Sequence, residues 1–103
     1  MSEHREAFEE FAEKAVEELG EDLESLVLYG SVAKGEERDD SDVDVFAVVK
    51  SVESEEKLED LAYDTGLEHE VFISVQVQTR ERFEARKDHP FIRNLMEEGT
   101  AYV

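Results

Sequence analysis

A chain of 103 residues with 29 Asp and Glu against 11 Lys and Arg carries a formal net charge of −18. That length supports one modest core, so a single domain over residues 1–103 is expected. The acid excess excludes bulk nucleic-acid binding, which needs Lys and Arg for the phosphates, and the lack of cysteine excludes disulfides and a thiol nucleophile.

The N-terminal stretch MSEHREAFEEF is charged and has no apolar run, so it does not read as a signal peptide, and no later run approaches membrane-spanning length. A cytoplasmic protein is expected. A hydrophobic content of 40% with clear periodicity argues against disorder despite the charge. Acids spread over every segment suit concentrated salt, where self-repulsion is screened; this points to a salt-adapted cell such as a haloarchaeon. The alternative is an acidic protein that meets a basic partner.

Ser2 is placed to cap a first helix, with Glu3 in its opening turn. Phe8, Phe11, Ala12, Ala15, Val16 and Leu19 form one helical stripe, and Gly20 sits where a left-handed cap belongs. A short apolar strand over Leu26 to Tyr29 follows. Gly30 ends it where the backbone turns or approaches a ligand closely, and Ser31 is placed to cap a helical turn from Val32 to Lys34. The unpaired N–H groups of such a turn suit an anion, for example a triphosphate tail.

Glu36 to Ser41 is a polar connection into a second strand, Val43 to Lys50. Residues two apart on a strand share a face, with Cα atoms roughly 6.5 Å apart. Asp42, Asp44, Phe46 and Val48 therefore line one side, and Val43, Val45, Ala47 and Val49 the other. The apolar run predicts a strand covered on both faces. Two carboxylates at its lip repel unless a cation or proton sits between them, and hard Mg²⁺ shared between carboxylates and phosphates meets that need. The alternating Asp40, Asp42 and Asp44 do not start a calcium loop, because Val45 and Ser51 stand where glycine and glutamate are required.

Ser51 to Ser54 caps a second long helix whose inner face is Leu58, Leu61, Ala62 and Thr65, stopped at Gly66. Val71 to Gln78 reads as a third strand with one partly polar face. Thr79 caps a short helix to about Lys87, and Pro90 opens another in which Phe91, Ile92, Leu95 and Met96 pack inward before Gly99. Thr100 to Val103 adds an edge strand or frays. His4, His69 and His89 lack ligand spacing and read as surface or capping residues.

Gly30-Ser31, ten intervening residues and then Asp42-Val43-Asp44 match the G-S-x10-D-x-D signature of the nucleotidyltransferase superfamily, whose fold is shared with the palm of DNA polymerase β. The string GSVAKGEERDDSDVDVFAVV resembles the minimal nucleotidyltransferases, and the closing HPFIRNLMEEGTAYV is similar to them as well. The resemblance implies an α/β fold: a small mixed sheet of three or four strands with helices packed on it. It implies Mg²⁺-dependent transfer of a nucleoside monophosphate, AMP from ATP above all, to an acceptor hydroxyl. Asp42 and Asp44 are the implied catalytic metal ligands, with Gly30, Ser31 and Lys34 at the nucleotide. It also implies a HEPN-domain toxin as partner, held in check by an antitoxin of this type.

Laid against that family, Ser74 falls where a third metal-binding carboxylate belongs, and Glu68 and Glu70 are candidates only in a different register. Val32 stands where many relatives have arginine. Lys34 keeps one cation at the turn, while Arg38 reads as balancing local acids and Tyr29 as packing. The rival reading is a binding module that keeps the fold, has lost turnover, and neutralises a partner by contact.

Overall fold

Ser2 closes the first helix as expected, its Oγ accepting from the Arg5 N–H at 3.1 Å. The computed structural model describes residues 2–103. Helix α1 spans Glu3–Leu19 and a 3₁₀ turn follows over Gly20–Asp22. Strand β1 (Leu23–Tyr29), helix α2 (Gly30–Lys34), strand β2 (Val43–Val49) and helix α3 (Val52–His69) come next. Strand β3 (Ile73–Thr79), helices α4 (Arg80–Arg86) and α5 (Pro90–Glu98), and the short strand β4 (Thr100–Ala101) complete the chain.

The four strands form one mixed sheet in the order β3-β2-β1-β4. β2 runs antiparallel to β1 and parallel to β3, and β4 adds antiparallel to the outer edge of β1. The parallel pair requires a crossover, and α3 supplies it. No helix among the described residues is long and apolar enough to cross a membrane.

The alternation in β2 sorts its side chains as the sequence requires. Val43, Val45, Ala47 and Val49 join Phe8, Phe11, Leu26, Leu28 and Leu58 in the main core beneath α1 and α3. Phe46 and Val48 face the other way, into a smaller core with Val27, Ile92 and Leu95. Phe46 is fully buried there, and its truncation to alanine would cost about 3–5 kcal/mol. The same parity carries Asp44 to the smaller-core side, at the strand end this core leaves uncovered.

Several expectations are corrected. Gly66 does not stop the second long helix; it lies inside α3, buried, because a Cβ there would sit 2.6 Å from the Val71 carbonyl oxygen. The helix runs to His69, with Glu70 as a left-handed cap at φ 55°. Gly20 has the positive φ expected (54°), but its ψ of −126° leads into the 3₁₀ turn instead of a left-handed cap. Val16, Phe91 and Met96 are not inward: they are 43%, 46% and 40% exposed. The smaller core has room only for Ile92 and Leu95 from α5.

The histidines are also more engaged than expected. His4 is buried, with Nε2 2.9 Å from the Ser41 carbonyl. His69 joins α3 to α1, Nδ1 lying 2.7 Å from Glu3 Oε1 and Nε2 3.3 Å from Glu10 Oε2. The Glu3 bond first, then Glu10, holds its pKa above the ordinary histidine value. His89 does cap α5, its Nδ1 accepting from the Phe91 N–H at 3.2 Å.

Candidate active site

The site begins where β1 ends. Tyr29 pairs with Asp44 across β1 and β2, so the chain leaves the sheet beside that carboxylate. Gly30 makes the exit possible at φ 77°, in the left-handed region. A Cβ built on Gly30 would fall on Asp44 Oδ2 and lie 3.3 Å from its Cγ. The missing side chain therefore leaves a cradle between the turn and the acid.

Helix α2 is a single short turn. Ser31 was expected to cap it, but Tyr29 occupies that position without a side-chain bond, and Ser31 sits in the helix's first turn. Its hydroxyl has no hydrogen-bond partner in the sheet or helices around it among the described residues. Gly35 closes the helix in the left-handed conformation at φ 71°, its N–H meeting the Ser31 and Val32 carbonyls. Val32 is fully buried, so the position after Ser31 points into the core of this chain. Lys34, one turn on, is exposed and makes no ion pair among the described residues.

Asp42 precedes β2 and is exposed, whereas Asp44 is half-buried. Burial first, and then the negative charge of Asp42, raise the Asp44 pKa above the usual carboxylate range. Asp44 in turn, with burial as the larger cause, pushes the Tyr29 phenol up. Local charge is thus uncompensated around Asp44, which favours a proton or a cation.

In the parallel pairing of β2 with β3, Asp44 lies directly across from Ser74, and Val43 from Ile73. Ser74 therefore shares the face of Asp44. Glu68 is turned toward α1, 3.7 Å from Lys14 Nζ, and Glu70 is the cap of α3. Neither is at the register position of Ser74. Among the described residues no three His, Cys, Asp or Glu side chains are grouped to hold a metal ion. The donor set present, two carboxylates next to a glycine cradle, fits a hard divalent cation that takes its remaining oxygens from a ligand. Arg38 lies in the loop before β2 and its backbone N–H donates to Ser41 Oγ at 2.8 Å, a loop-forming role.

Beside Gly30, a cleft of about 190 Å³ opens between α2 and α5, lined by Tyr29, Lys34, Phe91, Asn94 and Glu98. Sequence reasoning did not single out Asn94 or Glu98. The signal available was spacing: they stand three and seven residues after Phe91, a stripe that is half polar where a core stripe would be apolar.

Three likenesses bear on this geometry. The model of the nucleotidyltransferase domain family matches residues 9–102. A Methanocaldococcus jannaschii protein, provisionally named as a protein adenylyltransferase, is 32% identical over 95 residues, spanning 84% of this chain and 93% of the relative. A chain in the crystal structure of a toxin–antitoxin with AMP-PNP superposes with a TM-score of 0.57 at 15% identity, covering 90% of this chain and 70% of its own. At that identity the superposition speaks for the fold.

Proposed function

This chain belongs to the nucleotidyltransferase domain family, and from that premise we propose that it moves AMP from ATP to a hydroxyl on a partner protein. The observation that carries the reading is the cradle: the Gly30 turn and the Asp44 carboxylate face each other across a space that a side chain would fill.

In this reading Asp42 and Asp44 are the catalytic residues and hold Mg²⁺, which neutralises charge on the phosphates when bound. Ser31 and the turn amides orient the triphosphate tail, and Lys34 supplies a cation beside it. Burial and the repulsion from Asp42 raise the Asp44 pKa, and a bound positive charge would relieve that repulsion. In this reading the acceptor comes from a partner, since the described strands and helices are taken up by one sheet and its covering layer.

The name of the Methanocaldococcus relative supports a protein acceptor, and the toxin–antitoxin complex supports a toxin as that acceptor; the HEPN class is what the resemblance to the minimal nucleotidyltransferases implies. The acid-rich surface supports work in the cytoplasm of a salt-adapted cell. The test is label transfer from α-labelled ATP to a co-purifying protein in concentrated salt with Mg²⁺. Transfer that survives Asp42→Asn combined with Asp44→Asn, or no transfer at all, would count against the reading.

One observation favours a second reading. Ser74, not a carboxylate, lies across from Asp44. A binding module that has lost turnover would neutralise its partner by contact and show no Mg²⁺-dependent heat on titration with ATP.

A further inference from the structure

Resting on the proposed function, which sets the triphosphate between Gly30 and Asp44, we propose that the cleft between α2 and α5 seats the base of the nucleotide and selects an aminopurine. Three features of its walls carry this.

The first is an aromatic surface. Phe91 is 46% exposed although Ile92 and Leu95 beside it are buried. Its ring stands edge-on to Tyr29, with centroids 6.2 Å apart and planes at 85°. Tyr29 holds the ring in place while part of it stays open to the cleft. A planar base covers such a ring by stacking, and every base has a π-face to offer.

The second is a pair of polar readers. Asn94 and Glu98 are four apart on α5, so they project from one face of the helix and both line the cleft. Neither side chain has a hydrogen-bond partner among the described residues. A primary amide offers a donor and an acceptor together, the pattern that pairs with an adenine edge. An ionised carboxylate only accepts, so Glu98 demands N–H groups on its ligand, and an exocyclic amine supplies them.

The third is polarity across the cleft. The α2 wall carries Lys34 and the α5 wall carries Glu98. Phosphate is attracted to the first wall and repelled by the second, so a nucleotide enters with its tail toward α2 and its base toward α5.

The test is calorimetric titration of the full chain in Mg²⁺ with ATP, GTP, ITP and inorganic tripolyphosphate. ITP lacks the exocyclic amine and tripolyphosphate lacks the base. ATP or GTP should bind about tenfold or more tightly than ITP and tripolyphosphate, a gap within the range of base stacking and pairing. ATP tighter than GTP is the order the proposed transfer of AMP requires, and GTP tighter than ATP would count against ATP as the substrate while leaving the cleft as the base site.

Asn94→Ala and Glu98→Gln, both at exposed positions that leave the fold intact, should pull the preferred nucleotide down toward the tripolyphosphate level. Tripolyphosphate should bind Asn94→Ala as it binds the wild type, and Glu98→Gln at least as tightly, because that change removes a charge that repels phosphate. Equal wild-type affinity for all four ligands, or variants that leave the preferred nucleotide unchanged, overturns the cleft assignment while the proposed function stands. Failure of all four to bind, tripolyphosphate included, overturns the proposed function and the cleft assignment with it.

Discussion

Gly30 and Asp44 touch across the end of β1 in a way that admits no side chain between them: a Cβ on Gly30 would meet the Asp44 carboxylate, with Cγ 3.3 Å away. A backbone turn and an acid from the neighbouring strand are thereby held face to face. The relationship depends on two independent sequence choices, a glycine at positive φ and an aspartate two residues after Asp42 on the same strand face.

Gly30→Ala tests that relationship. The substitution places a Cβ at φ 77°, which costs about 1–2 kcal/mol in backbone strain alone, and pushes Asp44 from its position. Thermal melts should show the loss, and Mg²⁺–ATP titration should show binding weakened beyond it. A melt within a degree of wild type and unchanged binding would mean the cradle has no role.

Asp44→Asn separates the charge from the shape. The raised pKa of Asp44 means that its ionised form is disfavoured in the folded chain, so the stability linked to it is present at low pH and lost as pH rises through the raised value. Near neutral pH without metal, the asparagine variant should therefore melt higher than wild type. Added Mg²⁺ should raise the wild-type melting temperature by binding the folded state and leave the variant unmoved. An equal response to Mg²⁺ in both proteins would remove Asp44 from the metal site.

Much of this was legible in residue order because it is local. The period-two pattern of β2 placed Phe46 and Val48 opposite Val45 and Ala47, and the two cores obey it. The spacing from Gly30 to Asp44 also gave the turn and the acid as partners. What was hidden depends on distant surroundings. Gly66 reads as a stop signal, yet it is glycine because the Val71 carbonyl crosses α3 there. Phe91 and Met96 read as core, yet the smaller core is filled by Ile92 and Leu95. His4 reads as surface, yet its Nε2 lies 2.9 Å from the carbonyl of Ser41, far along the chain, and the ring is buried.

His69 should make stability fall with rising pH. Bonds to Glu3 and then Glu10 raise its pKa above the ordinary histidine value. A histidine raised by folding stabilises fully below its unfolded pKa and loses that contribution as pH passes its folded pKa. Melting temperatures of wild type and His69→Gln should thus differ most at about pH 6, above the carboxylate range, and converge as pH rises past the raised histidine value. Curves that stay parallel over this interval would show that the clamp between α1 and α3 carries no net charge linkage.

Ser74→Asp should strengthen the proposed metal site. Ser74 lies across from Asp44 in the parallel pair and on the same face, so a carboxylate there joins Asp42 and Asp44 at one strand end. Three like charges repel when no cation is present, so the variant should melt lower than wild type without metal. With Mg²⁺ the order should reverse, and the Mg²⁺ concentration giving half the rise in melting temperature should drop about tenfold, the effect of ~1.4 kcal/mol. Glu68→Gln and Glu70→Gln should leave that midpoint where it is, because Glu68 faces Lys14 and Glu70 caps α3. A shift with either glutamine variant, and none with Ser74→Asp, would move the third ligand position off β3 and onto the end of α3.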